Sequence, residues 1–241
     1  MAAPQNRSER LKKFWDTRFS SKGFPGLSIT LALVALIGAS WIFGAIAEDV
    51  ITGDPLTLVD ARFSSWLHAH ASEPLTTLMR IITSIHSLWG VAIMTLLVSG
   101  YWWLRRLRDW ALRLVVGVSG GMLLNLLLKH LFLRARPDLA NPLLTLTTYS
   151  FPSGHTMATT LFYGTLCAFA VSRLRGPYWR ALAIGVSLLM IALVGFSRIY
   201  LGVHYLSDVL AAIAEGLALL AFSFVVVDSV KHRLSRRHGR R

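Results

Sequence analysis

The sequence predicts an all-α integral membrane protein, a bundle of six transmembrane helices with a short extracytoplasmic helical loop region. Three observations carry that prediction. The 241 residues are 54% hydrophobic and only 15% charged, where a soluble domain is about a quarter charged. The apolar residues gather in long runs that a soluble core does not need. The 25 basic residues, set against 12 acidic ones, cluster between and beyond those runs.

The first run, Leu27–Ala47, contains no charged residue and meets the length of about 20 residues that crosses the hydrocarbon. A basic stretch precedes it and Ala45-Ile46-Ala47 closes it, as in a secretory signal. A signal's apolar region is about 7–15 residues, however, so the run reads as a retained membrane helix. In the loop that follows, about Glu48–Arg80, the stretch Asp60–His70 sets Phe63, Trp66, Leu67 and His70 at helical spacing. It predicts a short helix lying in the membrane interface. Further runs follow at Ile82–Leu104, Leu112–Leu128, His155–Val171, Ala181–Ser197 and Tyr205–Val227. Helices are the open-chain answer, because backbone polar groups in lipid must pair within the segment. No run shows the alternation of a membrane β-strand. Gly117 and Gly121 form a G-x-x-x-G spacing in the third run; packing inside the bundle is the preferred reading over dimerisation.

The charge then orients the bundle. Nineteen of the 25 basic residues precede the first run, lie between the second and third or the fourth and fifth, or follow the sixth. All of these sit on one side, which the positive-inside rule makes cytoplasmic, with both termini inside. A nucleic-acid tail would explain the two ends but not the two inner clusters, so no nucleic-acid partner is expected. The layout is residues 1–26 as a basic cytoplasmic segment, 27–228 as the membrane domain and 229–241 as a basic tail. All-helical spans favour a bacterial inner membrane. The single cysteine, Cys167, does not reveal a redox compartment. The oligomeric state is not legible.

Six basic residues run against this trend: Arg62, Arg80, Lys129, Arg134, Arg136 and Arg198. Three of them belong to clusters at the outer ends of the later runs. These clusters are Lys129-x6-Arg136-Pro137, then Pro152-Ser153-Gly154-His155, then Ser197-Arg198-x5-His204-x3-Asp208. Arginine's planar fork suits phosphate oxygens and lysine adds a point charge. Free N–H groups where a helix opens at Ser153-Gly154-His155 favour an anion. Gly154 lets the backbone approach closely, and Ser153 either caps the helix or donates its hydroxyl. His204 and Asp208, four apart, share a helix face. The carboxylate there fixes the imidazole tautomer, so that His204 can attack phosphorus in line. His155 is placed to protonate the leaving oxygen and then to activate water.

For Arg80 and Arg134 the preferred reading is a snorkelling interface anchor. His68 reads as a surface residue, and His86 and His130 as polar caps near span ends. Asn125 reads as a helix-to-helix hydrogen bond. Glu215 remains open between substrate contact and structural pairing.

Taken together the three clusters resemble the signature of the type-2 phosphatidic acid phosphatase superfamily, which also includes bacterial acid phosphatases and vanadium haloperoxidases. The signature covers Lys129 to Asp208 without a departure. The resemblance implies His204 as nucleophile, Asp208 as its orienting partner and His155 as general acid and base. It implies Lys129, Arg136, Ser153, Gly154 and Arg198 as the phosphate-binding set, with Pro137 and Pro152 shaping the loops and no role assigned to Asp138. It implies no metal and no other cofactor. The expected partner is a membrane lipid phosphate: undecaprenyl pyrophosphate by a slight preference, with phosphatidylglycerol phosphate and phosphatidic acid close behind. Transfer of the phosphoryl group to another lipid is the alternative fate. Halide oxidation is disfavoured because the family's haloperoxidases are soluble, and an inactive scaffold because both histidines are present.

Overall fold

Proline, serine and glycine punctuate the apolar runs and set where helices begin. The computed structural model describes residues 25–238, apart from positions 54 and 141. Among the described residues it contains helices and no strand. The helices are α1 (Pro25–Thr52), α2 (Pro55–Ala69), α3 (Glu73–Ile85), α4 (Leu88–Leu104), α5 (Arg108–Phe132), α6 (Gly154–Arg173), α7 (Pro177–Tyr200) and α8 (Leu206–His238). Pro177 opens α7, where its missing N–H has no intrahelical partner to lose. The basic N-terminal segment lies outside the described residues, and α8 continues as helix to His238.

Among the described residues four helices, α1, α5, α7 and α8, are long and apolar enough to cross a membrane. The run expected as one span over Ile82–Leu104 takes in the last turn of α3 and all of α4, a bent pair meeting at 51°. The bend has a local cause. Ser87 accepts a hydrogen bond from the Gly90 N–H at 3.1 Å and so opens a new helix. His86 closes the old one: its Nδ1 meets the Ile82 carbonyl and its Nε2 the Tyr163 hydroxyl, each at 2.9 Å. If the pair counts as one span, the candidates number five.

The helix α6 is too polar to join that set, and its place in the bundle explains why. It packs against α4, α5, α7 and α8, and Met157, Ala158 and Leu161 are fully enclosed. A helix surrounded by protein has no need of a lipid-compatible surface. Its threonines satisfy themselves instead, Thr160 donating to the Thr156 carbonyl and Thr165 to that of Leu161, both at 2.8 Å. By contrast α1 packs along α8 and touches α2, leaving Leu31, Val34, Ile37 and Trp41 outward.

Lipid supplies no hydrophobic drive between helices, so close packing must do that work. At Gly121 an added Cβ would stand 2.4 Å from Leu161 Cδ1 and 2.7 Å from Met157 Sδ. The G-x-x-x-G spacing therefore serves the α5–α6 contact within the bundle. Arg113, counted among the cytoplasmic loop charges, is in fact buried in α5. It pairs with Asp228 of α8 and stacks 4.3 Å from the Phe224 ring centroid.

The helix α2 forms where an interfacial helix was expected, and of its residues at helical spacing Leu67 is buried while Trp66 stays outward. Its buried residues are Asp60, Ser64 and Leu67, while Leu58, Val59 and Trp66 are exposed. The polar face meets protein because a charged partner waits there, described below.

Candidate active site

The three clusters meet at one end of the bundle, because α5 and α7 end there while α6 and α8 begin. Lys129 stands in the last turn of α5 and Arg198 in that of α7. Arg136 lies in the segment after α5. Ser153 is the N-cap of α6, with Gly154 and His155 opening that helix. His204 sits in the turn before α8, and Asp208 in the first turn of α8. His155 is within electrostatic reach of Arg198, His204, Arg136 and Lys129. The eight positions singled out from sequence thus occupy a single region.

Backbone hydrogen bonds join the signature segments. Ser150 N–H donates to the Arg134 carbonyl at 2.9 Å and Ser150 Oγ to that of Ala135 at 3.0 Å. Ser153 N–H donates to the Asp208 carbonyl at 3.1 Å. The loop before α6 is thereby tied to both other clusters.

Its carbonyls also aim the cations. Lys129 Nζ donates to the carbonyl of Tyr149 at 2.7 Å and of Ser150 at 3.3 Å. Arg136 Nε donates to the Thr148 carbonyl at 2.6 Å, Nη2 to Thr148 Oγ1 at 2.9 Å and to the Tyr149 carbonyl at 3.2 Å. Arg136 Nη1 donates to the Val203 carbonyl. Arg198 is almost wholly buried and donates through Nη1 to Thr83 Oγ1, with its Nε unpartnered. Burial works against the charge of Arg136 and lowers its pKa, a shift that Asp208 partly offsets.

The imidazole of His204 is 2% exposed and held from both sides. Its Nδ1 lies 3.2 Å from Asp208 Oδ2, and its Nε2 lies 3.4 Å from Arg136 Nη1. A carboxylate only accepts and a guanidinium only donates. Both partners therefore require the same tautomer, with the proton on Nδ1 and the lone pair on Nε2. Burial first, then Arg198, Arg136 and Lys129, hold the His204 pKa well below the ordinary value. A pKa held that low favours the neutral ring, the form a nucleophilic imidazole needs.

One sequence reading narrows and another changes. Ser153 does not cap α6 with its side chain; its Oγ stands 3.0 Å from Thr156 Oγ1. Arg134 is no interface anchor. Its Nη1 donates to Asp208 Oδ1 at 2.6 Å and its Nη2 to Asp60 Oδ2 at 2.8 Å. Burial opposes its charge, but Asp208 and Asp60 outweigh that and raise its pKa. Arg80, by contrast, stays at the surface and donates to the Leu143 carbonyl at 3.2 Å.

Asn125 and Glu215 form a pair, Nδ2 donating to Oε2 at 2.9 Å. Asn125 also backs the α6 N-terminus, its Oδ1 standing 3.1 Å from where a Cβ on Gly154 would be. Thr83, Thr148, Tyr149, Ser150 and Asp60 were not singled out from sequence. Nothing in their residue types distinguishes them from ordinary loop and helix positions.

A family model described as the PAP2 superfamily matches residues 110–231. Over 147 residues the chain is 33% identical to phosphatidylglycerophosphatase B of Bacillus subtilis (strain 168), covering 60% of this chain and 68% of that protein. Over 131 residues it is 37% identical to a decaprenylphosphoryl-5-phosphoribose phosphatase of Mycobacterium tuberculosis, covering 52% and 63%. The crystal structure of the first transmembrane PAP2 type phosphatidylglycerolphosphate phosphatase from Bacillus subtilis superposes with a TM-score of 0.70 at 27% identity, over 82% of this chain and 96% of that one. Aquifex aeolicus LpxE matches with a TM-score of 0.54 at 22% identity, over 68% and 94%, a likeness of fold alone.

Proposed function

This chain belongs to the PAP2 superfamily and is a multi-pass membrane lipid phosphatase, and from that premise we propose that it hydrolyses a lipid phosphate monoester through a phosphohistidine formed on His204. The observation that carries the reading is the doubly held imidazole. Asp208 accepts a hydrogen bond from Nδ1 while Arg136 stands beside the Nε2 lone pair. A donor beside the nucleophile is where an oxygen of the attacked phosphate would be gripped.

In the proposed reaction Lys129, Arg136 and Arg198 bind the non-bridging oxygens, together with the N–H groups that open α6. Nε2 attacks phosphorus as the bond to the lipid oxygen breaks, and His155 supplies that oxygen's proton. His155 then takes a proton from water, which attacks the phosphohistidine, frees inorganic phosphate and restores His204. Positioning and charge stabilisation account for most of such catalysis.

Basic residues between and beyond the apolar runs support six spans with both termini cytoplasmic and the site extracytoplasmic. The names of the relatives favour a monoester such as phosphatidylglycerophosphate over the pyrophosphate that the sequence slightly preferred. The test is phosphate release in detergent from phosphatidylglycerophosphate, phosphatidic acid, a polyprenyl lipid monophosphate and undecaprenyl pyrophosphate. Wild-type protein should favour a monoester and His204→Ala should release none. Equal release by both proteins would remove the mechanism, and a preference for the pyrophosphate would reverse the substrate assignment.

A further inference from the structure

Behind the imidazole stands an ionic chain that the three clusters do not contain. Asp60, on α2, is 1% exposed. Its Oδ1 accepts the Ser207 N–H at 2.9 Å. Its Oδ2 accepts Arg134 Nη2 at 2.8 Å and the Ser207 hydroxyl. The other arm of the Arg134 fork reaches Asp208 Oδ1 at 2.6 Å and Ser207 Oγ at 2.7 Å. The guanidinium plane lies 4.4 Å from the Tyr205 ring centroid. Asp208 Oδ2 is left for His204 Nδ1 and for the Tyr205 N–H at 3.0 Å. Every carboxylate oxygen in the chain is therefore occupied.

We propose that Asp60 and Arg134 are positioning residues, a buried carboxylate–guanidinium relay that locks Asp208 as the acceptor for His204 Nδ1. The inference rests on His204 being the nucleophile. When Nε2 bonds to phosphorus the ring gains positive charge, and Asp208 must hold the Nδ1 proton without taking it. A carboxylate enclosed by protein is costly as an anion unless it is paired and hydrogen-bonded. Arg134 supplies the pairing and orients the carboxylate by its rigid fork. Asp60 in turn fixes the fork, because one guanidinium between two carboxylates cannot rotate without losing one of them. The polar inward face of α2 follows from the same requirement: an apolar residue at position 60 would leave half the fork unpaired.

The alternative is that the chain only fastens α2 to the bundle. Kinetics in detergent on the full-length protein separate the two. The variants are Asp60→Asn, Arg134→Ala, Arg134→Lys and the double Asp60→Asn/Arg134→Ala, with His204→Ala as reference. Loss of the orienting carboxylate itself costs a triad about 10,000-fold in kcat, so a partner one step further out should cost less, about 10- to 100-fold. Asp60→Asn and Arg134→Ala should lower kcat by that factor. KM and inhibition by inorganic phosphate should stay within about twofold, because the phosphate-gripping groups are untouched. Arg134→Lys, which keeps the charge without the fork, should fall between wild type and Arg134→Ala. The double variant should be no worse than Arg134→Ala, since the residues act as one chain.

Wild-type kcat in the single variants would overturn the inference, as would a loss shared equally by kcat and phosphate inhibition. Should Arg134→Ala unfold, Arg134→Lys carries the test, a lowered kcat at fixed KM supporting the relay and a wild-type kcat overturning it. If His204→Ala keeps wild-type turnover, the underlying mechanism has failed. If it is inactive while Asp60→Asn is normal, the relay alone has failed.

Discussion

Two groups of cations share one end of this bundle and differ in what neutralises them. Arg134 lies between two carboxylates, Asp60 and Asp208, at ion-pair distance from each. Lys129, Arg136 and Arg198 have no ion-pair partner among the described residues and rest on carbonyls and two hydroxyls. Arg134 and Arg136 are separated by one residue, yet the chain directs one fork backward into α2 and α8 and the other toward His204. Carbonyls orient a cation without cancelling its charge, so an anion still finds it attractive. A cation held by two carboxylates has nothing left for an anion and serves order instead. Residue type does not separate these roles; the neutralising partner does.

The sharpest way to break that comparison is Arg136→Ala. Removing a charge-matched donor beside the reacting phosphate should lower kcat/KM by about a thousandfold and abolish inhibition by inorganic phosphate, both read from phosphate release. Retained phosphate inhibition would place Arg136 with Arg134 among the ordering residues. A smaller loss is expected from Gly154→Ala, whose Cβ would press within 3.1 Å of Asn125 Oδ1 and push the α6 N-terminus from the phosphate. About a tenfold fall in kcat/KM is expected, and wild-type kinetics would show that the close approach is unimportant.

The far end of the bundle supplies a control. Arg113→Met strands the partly buried Asp228, and leaving such a polar group without its partner costs about 1–3 kcal/mol. The Tm in detergent should drop while turnover per folded molecule stays within about twofold. A specific loss of kcat there would mean that ion pairs remote from the site also tune it. The least invasive test leaves the chain unaltered. Because burial and the three cations lower the His204 pKa, its ring should remain neutral and protonated on Nδ1 at pH 6, below the ordinary histidine value of about 6.5. Nitrogen NMR on histidine-labelled protein reads this directly, with the resonance assigned by its absence in His204→Ala. An imidazolium signal at pH 6 would show that Asp208 outweighs the cations.

Apolar run length placed α1, α5, α7 and α8 from sequence, because lipid contact demands an uninterrupted apolar surface. The same criterion misjudged one element. It ran the last turn of α3 into α4, since the Ser87 cap that bends them is a single hydrogen bond no hydropathy window resolves. It also marked His155–Val171, the stretch that α6 covers, although that helix faces protein and carries threonines bonded to its own backbone. Gly117 and Gly121 pointed to close packing, but not to Leu161 and Met157 as what they pack against.

The sequence by itself determined the chemistry on offer: two histidines, a carboxylate one helical turn from His204, three cations and a glycine-opened helix, with spacings that bring them to one end of a membrane bundle. These are short-range facts, fixed by residue type and helix period. Only the tertiary structure decided which cations remain unneutralised and which carboxylates are bound. Asp60 is far from Arg134 and Asp208 along the chain, and nothing in its neighbourhood marks it. Partner choice among charges depends on which side chains are buried side by side, and that is a property of the folded bundle rather than of any segment within it.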